Sequence, residues 1–472
     1  MTTRTGALDV LTLLREVLGE RVIVDPARLA EAQADKSGQV SHGPPLCVVE
    51  AHSTDDVAHV LRIAHEAKTP VVTRGGGSGL AGGAIGSPGE IVLSLASMNR
   101  IIEISREDRW AVVEAGVINL DLNNASKELG LWFAPDPASR HWSTVGGNIA
   151  TNAGGLLCVK YGVTREAVLD LTVVLPGGEI LTLGHKTVKG VTGYDLTSLM
   201  VGSEGTLAVI TEARVALKPL DPHPVWTISG TARDIDIATL SVQETITRGR
   251  QPAIMELMDG PSVGHVANYL GRSDIATDSA QLIAQTDGAA AQDEAEAIAA
   301  IWRECGLEVE VGQDREDLIQ FRRAMHPAME AVGQVLIEDI AVPRSRLGEM
   351  FSEIRSIEEK YNVQIPTVAH AGDGNIHPNF IYSGDDVPPH IWDAADALFR
   401  RAVALGGTLT GEHGVGLLKR QWMMAEIGQP LWDLQWSIKK LFDPHGILNP
   451  GKVFDPAVLN DSESATRSSS KR

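Results

Sequence analysis

Val71-Val-Thr-Arg-Gly-Gly-Gly-Ser-Gly-Leu-Ala-Gly-Gly83 decides how the first half of this chain is read. A β-branched run feeds directly into a loop holding six glycines. Consecutive backbone N–H groups in such a loop can converge as an anion-binding nest, and the missing side chains let a ligand approach closely. Pyrophosphate is the natural guest. The spacing matches neither GxxxxGK followed by Ser or Thr nor GxGxxG, which argues against a P-loop kinase or a nicotinamide dehydrogenase. A flexible, solvated loop could carry the same glycines, so neighbouring segments have to decide.

Three of them do. Pro135-Asp-Pro-Ala-Ser139, Thr144 to Gly155 (TVGGNIATNAGG), and Lys189 to Asp195 (KGVTGYD) running on through Val201 to Thr206 each concentrate small residues with amide or hydroxyl donors. Such groups can line a long polar cofactor, and solubility alone does not require several such segments. Between them lie short β-branched runs at Trp110–Glu114 and Leu171–Leu175; Pro176-Gly-Gly178 turns the latter into Glu179–Thr182 as a hairpin. Apolar spacing of three and four predicts a helix over 55–68.

Lys218-Pro-Leu-Asp-Pro-His-Pro224 reads as a domain boundary. Beyond it, predicted strands alternate with helices, including 235–247, 261–270, 292–305 and one over 317–332, as in a sheet with helices packed on one face. The chain divides into an N-terminal helical segment (1–40), a first domain (41–220), a second domain (221–457) ending in a helical segment, and a polar tail (458–472) expected to be disordered.

At 472 residues, with 43% hydrophobic and 22% charged residues, the composition is that of an ordinary globular enzyme. A net charge of −20 excludes the basic footprint of a nucleic-acid binder. It leaves room for an anionic substrate in a locally positive cleft. The N-terminus reads as an amphipathic helix and no apolar run reaches the ~18 residues of a spanning segment, so the cytoplasm is expected. Cys47, Cys158 and Cys305 stand alone, with neither a disulfide framework nor iron–sulfur spacing.

The second half holds His370-Ala-Gly-Asp-Gly-Asn-Ile-His377 and Gly411-Glu-His-Gly-Val-Gly416. Two imidazoles and a carboxylate suit a borderline divalent cation, and three protein ligands leave a position open for catalysis. Histidines on glycine turns can equally be capping or core residues. Thr367–His370 and Ile376–Tyr382 read as strands, so His377 and Asn379 share a face.

The order PVVTRGGGSGLAGGA, TVGGNIATNAGG, KYGVTREAVLDLTVVLPGGE and GYDLTSLMVGSEGTLAVITEA resembles the PCMH-type FAD-binding domain of the vanillyl-alcohol-oxidase flavoproteins. With HAGDGNIHPNF, GEHGVGLLKR and FDPHGILNPGKVF, the chain over roughly residues 10–457 resembles the FAD-linked D-2-hydroxyacid dehydrogenases. That branch includes D-lactate dehydrogenase, the glycolate oxidase flavoprotein subunit and D-2-hydroxyglutarate dehydrogenase. The resemblance implies an α+β fold: a PCMH-type FAD-binding domain, then an α+β substrate domain with an antiparallel sheet.

It also implies FAD held by Arg74, Gly75, Gly76, Gly77, Ser78, Gly79 and Leu80, by Pro135, Asp136 and Ser139, and by Thr144, Gly147, Asn148, Gly154 and Asn449, with Ile210 near the adenine. No histidine occurs in the Arg74–Gly83 loop, and Cys158 lies where the branch uses no tether, so the flavin is expected to be non-covalent. The family pattern puts a divalent metal (zinc first, with manganese or iron open) on His370, His377 and Glu412. Asn379 lies near the substrate, Arg322 holds its carboxylate, and His413 takes the hydroxyl proton as hydride leaves Cα for the flavin. Arg323 is expected to face elsewhere, toward solvent.

Dicarboxylate-specific relatives carry a lysine where this chain has Ile337, which favours a monocarboxylate such as D-lactate or a longer 2-hydroxyacid. Glycolate or D-2-hydroxyglutarate dehydrogenation is the alternative within the family. A metallohydrolase using His370, Asp373, His377 and Glu412, or a non-catalytic flavoprotein subunit, is the alternative from other classes. An electron-transfer flavoprotein, quinone or cytochrome is expected to collect the electrons, and a homodimer is compatible with these features.

Overall fold

Parallel pairing of Val71–Arg74 with Ile91–Ser94, and of Ile91–Ser94 with Cys47–Glu50, starts the first sheet. A computed structural model describes residues 3–455 apart from 276 and 385, so the tail expected at 458–472 lies outside the described residues. The segment before residue 41 is not purely helical. Between the helices Thr3–Leu18 and Pro26–Glu31, Val22–Ile23 adds an antiparallel strand to this sheet. The helix Thr54–Ala67 buries Val57, Val60, Leu61 and Ala64, one stripe at helical spacing. The Ser53 side chain accepts from the Asp56 N–H at its start, and Lys68 in the left-handed region (φ 52°) ends it.

A second, antiparallel sheet runs in the order Ile101–Ser105, Trp110–Glu114, Val209–Ala216, Val168–Val174, Ile180–Gly184. The hairpin through Pro176–Gly178 closes it, Val174 pairing with Ile180.

After the proline-rich junction, Trp226–Ala232 opens a large antiparallel sheet containing Ile254–Met258, Thr367–His370 and Asn375–Tyr382 as neighbours. The α+β expectation holds, but the helices cover both faces of this sheet. Leu257 and Ala369 pack with residues of the helices Ile235–Thr247, Ala291–Cys305, Leu347–Tyr361 and Pro389–Ala404. Met258 and Val368, one residue away on each strand, pack with the helices Gly260–Leu270 and Met325–Val332. The two-residue period of a strand makes that division. The single helix read over 317–332 is two, Glu316–Arg323 and Met325–Val332, because Pro327 offers no N–H and fits only the first turn of a new helix.

The chain then returns to its first half. The helix Arg420–Phe442 is interrupted at Gly428, two residues before Pro430. Its last turns place Lys439 in the interior, donating to Thr206 O and Leu448 O at 2.7 and 2.9 Å and pairing with Asp443. Asp443 in turn accepts from the Ile447 and Leu448 N–H groups, and Leu448 pairs with Val71 beside the glycine loop. Lys160 and Tyr161 of the first half also bind Asp287 of the second.

Breaking one partner of a buried ion pair costs about 3–5 kcal/mol. Lys439→Met is therefore expected to lower the unfolding free energy by about that much in guanidinium denaturation and to weaken flavin retention. A change below about 1 kcal/mol would show that the clamp is not needed.

Candidate active site

One cavity of about 980 Å³ runs between the two halves, at the upper end of the about 300–1,000 Å³ usual for small-molecule sites. Gly75, Gly76, Gly77, Ser78, Gly79 and Leu80 form part of its wall, together with Asp136, Ser139, Thr144, Gly147, Asn148, Gly154 and Ile210. Gly77 takes φ +68°, where a side chain would be strained and would run into the Arg74 guanidinium. Backbone amides without side chains are what a pyrophosphate-bearing ligand needs, so the residues present fit FAD.

Three residues assigned to the cofactor lie behind this wall. Arg74 turns its guanidinium away to Ala34 O and Ala84 O. Pro135 offers its carbonyl to Asn119, and Asn449 donates to Gly83 O and Glu204 O. They shape the loops without lining the void. Lys189–Asp195 is exposed throughout, Val191 and Tyr194 almost fully. It does not line the cavity, whereas the continuation of the same stretch does through Glu204 and Gly205, so the reading of it as cofactor wall is corrected for Lys189–Asp195 alone.

The opposite wall comes from the large sheet. Val368 and His370 lie two apart on one strand, and His377 and Asn379 two apart on its neighbour, so all four face the cavity. Glu412 and His413 reach it from the following glycine turn. The His370 Nε2 and His377 Nε2 atoms lie 3.4 and 3.2 Å from Glu412 Oε1. One donor atom each from His370, His377 and Glu412 falls within a 4.8 Å cluster. The first half presses on this point, since a Cβ at Gly154 would sit 2.2 Å from Glu412 Oε2.

Two carboxylates absent from the expected site stand behind the imidazoles. Glu256 Oε1 lies 2.7 Å from His370 Nδ1, and Asp339 Oδ1 lies 3.7 Å from His377 Nδ1. Asp339 is fully buried and accepts from Asn375 Nδ2, the Thr410 hydroxyl and the Glu412 and His413 N–H groups at 2.6–2.9 Å. Burial would lower the His370 pKa, but Glu256 and Glu412 outweigh it and hold the ring well above the ordinary value. Burial likewise opposes the Glu412 charge, and the two imidazoles overcome it, holding the carboxyl well below its usual range. Buried carboxylates facing imidazoles on their inner side are the donor set of a divalent cation, so these residues fit a metal.

His413 stacks on His377, ring centroids 5.2 Å apart. Burial drives it down to about 4, against the pull of Asp339. Both amide hydrogens of Asn379 are taken by Pro366 O and His377 O, which leaves its carbonyl oxygen to meet a ligand. Arg322 is buried, its Nε 2.9 Å from Glu256 Oε2. Arg323 also lines the cavity, correcting its assignment to solvent: the helix ends there, and the side chain lies between Glu316 and the charge of Arg140. Lys36 and Arg140 add further positive charge to this wall.

Residues 45–184 match the FAD binding domain model, and residues 227–453 match the model of the C-terminal domain of FAD linked oxidases. The chain belongs to the FAD-linked oxidase family, a class of flavin-dependent oxidoreductases. It is 38% identical over 419 residues to glycolate oxidase subunit GlcD of Bacillus subtilis, covering 87% of this chain and 89% of that one. It is 32% identical over 463 residues to D-lactate dehydrogenase of Anaerostipes hadrus, covering 94% and 97%. Its fold is also that of substrate-bound p-cresol methylhydroxylase (TM-score 0.76, 17% identity, 95% of this chain and 97% of that one). Among the described residues, no helix is long and apolar enough to cross a membrane.

Glu204 joins the halves at the cavity's rim, accepting from the Val415 and Gly416 N–H groups at 2.7 and 2.9 Å. Burial pushes its carboxyl up from 4.5 to about 7. The native state then holds a proton that the unfolded chain has released, so this group's contribution is full below about 4.5 and is lost as pH rises through about 7. Glu204→Gln is expected to flatten the fall in urea-unfolding stability across that window. An unchanged slope would rule out this carboxyl as its source.

Proposed function

We propose that the chain oxidises a D-2-hydroxymonocarboxylate, D-lactate or a longer 2-hydroxyacid, to the 2-oxoacid with non-covalent FAD and a divalent metal. The observation that carries this reading is the opening of the His370, His377 and Glu412 cluster onto the same cavity as the glycine loop. The names of its relatives, D-lactate dehydrogenase and glycolate oxidase subunit, point the same way. A metallohydrolase would have no use for a flavin-sized wall opposite its metal.

His370, His377 and Glu412 would hold the cation, zinc first by ligand type, with manganese or iron open. When bound, the flavin supplies a two-electron acceptor and the cation supplies positive charge for the alcohol oxygen. Arg322, which lines the cavity and approaches Glu256 through its Nε, offers the substrate carboxylate a guanidinium. Neutral His413 takes the single proton of the substrate hydroxyl, and Asn379 lies beside the substrate with its carbonyl oxygen facing the cavity. Ile337, paired with Asn379 and lining the cavity, gives the far end of the substrate an apolar surface. Glycolate or D-2-hydroxyglutarate remains the alternative, and the second would need a cation where Ile337 stands. The electrons pass to an acceptor outside the chain: an electron-transfer flavoprotein, a quinone or a cytochrome.

Anaerobic mixing with D- and L-2-hydroxyacids tests the reading through loss of flavin absorbance. D-monocarboxylates are expected to bleach the flavin, L-enantiomers and chelator-treated protein are not, and His413→Ala should slow bleaching by about 10²–10⁴-fold. Bleaching that survives both chelation and His413→Ala would remove the proposed roles.

A further inference from the structure

We propose that Glu256 is a positioning residue that couples the cation site to the carboxylate site, by dividing its two oxygens between His370 and Arg322. This rests on the reading above. Glu256 sits in the middle of Ile254–Met258, a strand buried along its whole length, and is itself 1% exposed. A carboxylate there faces an effective desolvation penalty of several kcal/mol and is tolerated only when well partnered. Both partners come from the fold. Antiparallel register sets Glu256 directly opposite His370, and Oε1 meets Nδ1 at 2.7 Å. Oε2 meets the Nε of Arg322, delivered by the end of the helix Glu316–Arg323, at 2.9 Å.

The second contact lacks the alignment of a hydrogen bond, so it is an ion pair that sets direction without saturating the guanidinium. The first fixes the ring through Nδ1, so that Nε2 is turned toward Glu412 and His377 and would be the atom offered to a cation. One buried charge therefore orients a ligand of the cation and the residue that would grip the substrate carboxylate. Two neighbouring sites that share one carboxylate cannot be perturbed separately through it. Loss of the Glu256 charge should loosen both together, while the glycine-loop wall, which it does not touch, keeps its flavin.

The test uses flavin-loaded protein stripped of metal, with Zn²⁺ titrated against a chromophoric chelator and D-lactate kinetics measured at saturating Zn²⁺. Glu256→Gln is expected to weaken Zn²⁺ by about 10–100-fold, the range for loss of an outer-shell partner, and to raise KM by a comparable factor with a smaller change in kcat and unchanged flavin content. Glu256→Asp, which keeps the charge but shortens its reach, should fall between wild type and Gln on both readouts; it carries the test if the Gln variant fails to retain flavin. Wild-type Zn²⁺ affinity in the variants, or weaker Zn²⁺ with an unmoved KM, overturns the coupling. Wild-type protein that binds none of Zn²⁺, Mn²⁺ and Fe²⁺ overturns the proposed function and the coupling with it, whereas a wild type that binds and reacts normally isolates a failure of the coupling alone.

Discussion

Asp339 is the interaction on which the site depends. Its two buried oxygens collect the Asn375 amide, the Thr410 hydroxyl and the successive N–H groups of Glu412 and His413. One carboxylate thus ties the turn after His370 to the loop that carries Glu412. Without it, two glycine-rich turns far apart in sequence would have little reason to hold a fixed relation. Burial opposes its charge, but His413, Lys419 and His377 outweigh that and hold its pKa well below the usual range. Lys419 supports it from beneath, donating to the carbonyls of Asp339 and Leu409. Both Asp339 oxygens are partnered, and a buried carboxylate satisfied in this way rigidifies the segments it joins.

The same logic extends across the seam between the halves. Glu204 reaches from the first half to the backbone of Val415 and Gly416, and Lys439 reaches back from the last helix to Thr206 O. Both ties meet the loop Glu204–Thr206, whose Glu204 and Gly205 line the cavity, so buried polar groups fasten the second half to the first beside the flavin wall. Glycine at position 154 allows the two surfaces to close to contact, since any side chain there would displace Glu412.

Much of this was legible because period and punctuation are local. The stripe at 54–67 and the Pro176–Gly178 hairpin appear where apolar spacing and turn chemistry put them. His377 and Asn379 share the cavity wall because alternation along a strand is geometric. The failures were tertiary. A strand–helix alternation does not reveal on which face each helix falls, and here the helices divide between two. Glycine and hydroxyl density looks the same in a cofactor loop as in Lys189–Asp195, which is exposed and does not line the cavity. Arg323 could be sent to solvent only by continuing a helix that Pro327 restarts.

Glu256 and Asp339 were overlooked for a different reason, although both leave a mark. Glu256 is a single acid inside the apolar strand-like run Ile254-Met-Glu-Leu-Met258, and Asp339 stands beside Glu338 as an acidic pair inside Leu336-Ile-Glu-Asp-Ile-Ala341. An acid in such a run is costly to bury, and that cost signals partners elsewhere in the chain. The histidines were found because their residue type names their chemistry; the carboxylates behind them look like interruptions until the register places Glu256 opposite His370. An imidazole that presents one nitrogen to an ion must have its other nitrogen held, so a pair of exposed-looking ligands in a sequence implies a pair of buried acids to be sought in its strands. In this chain the two acids are there, each against the Nδ1 side of its ring.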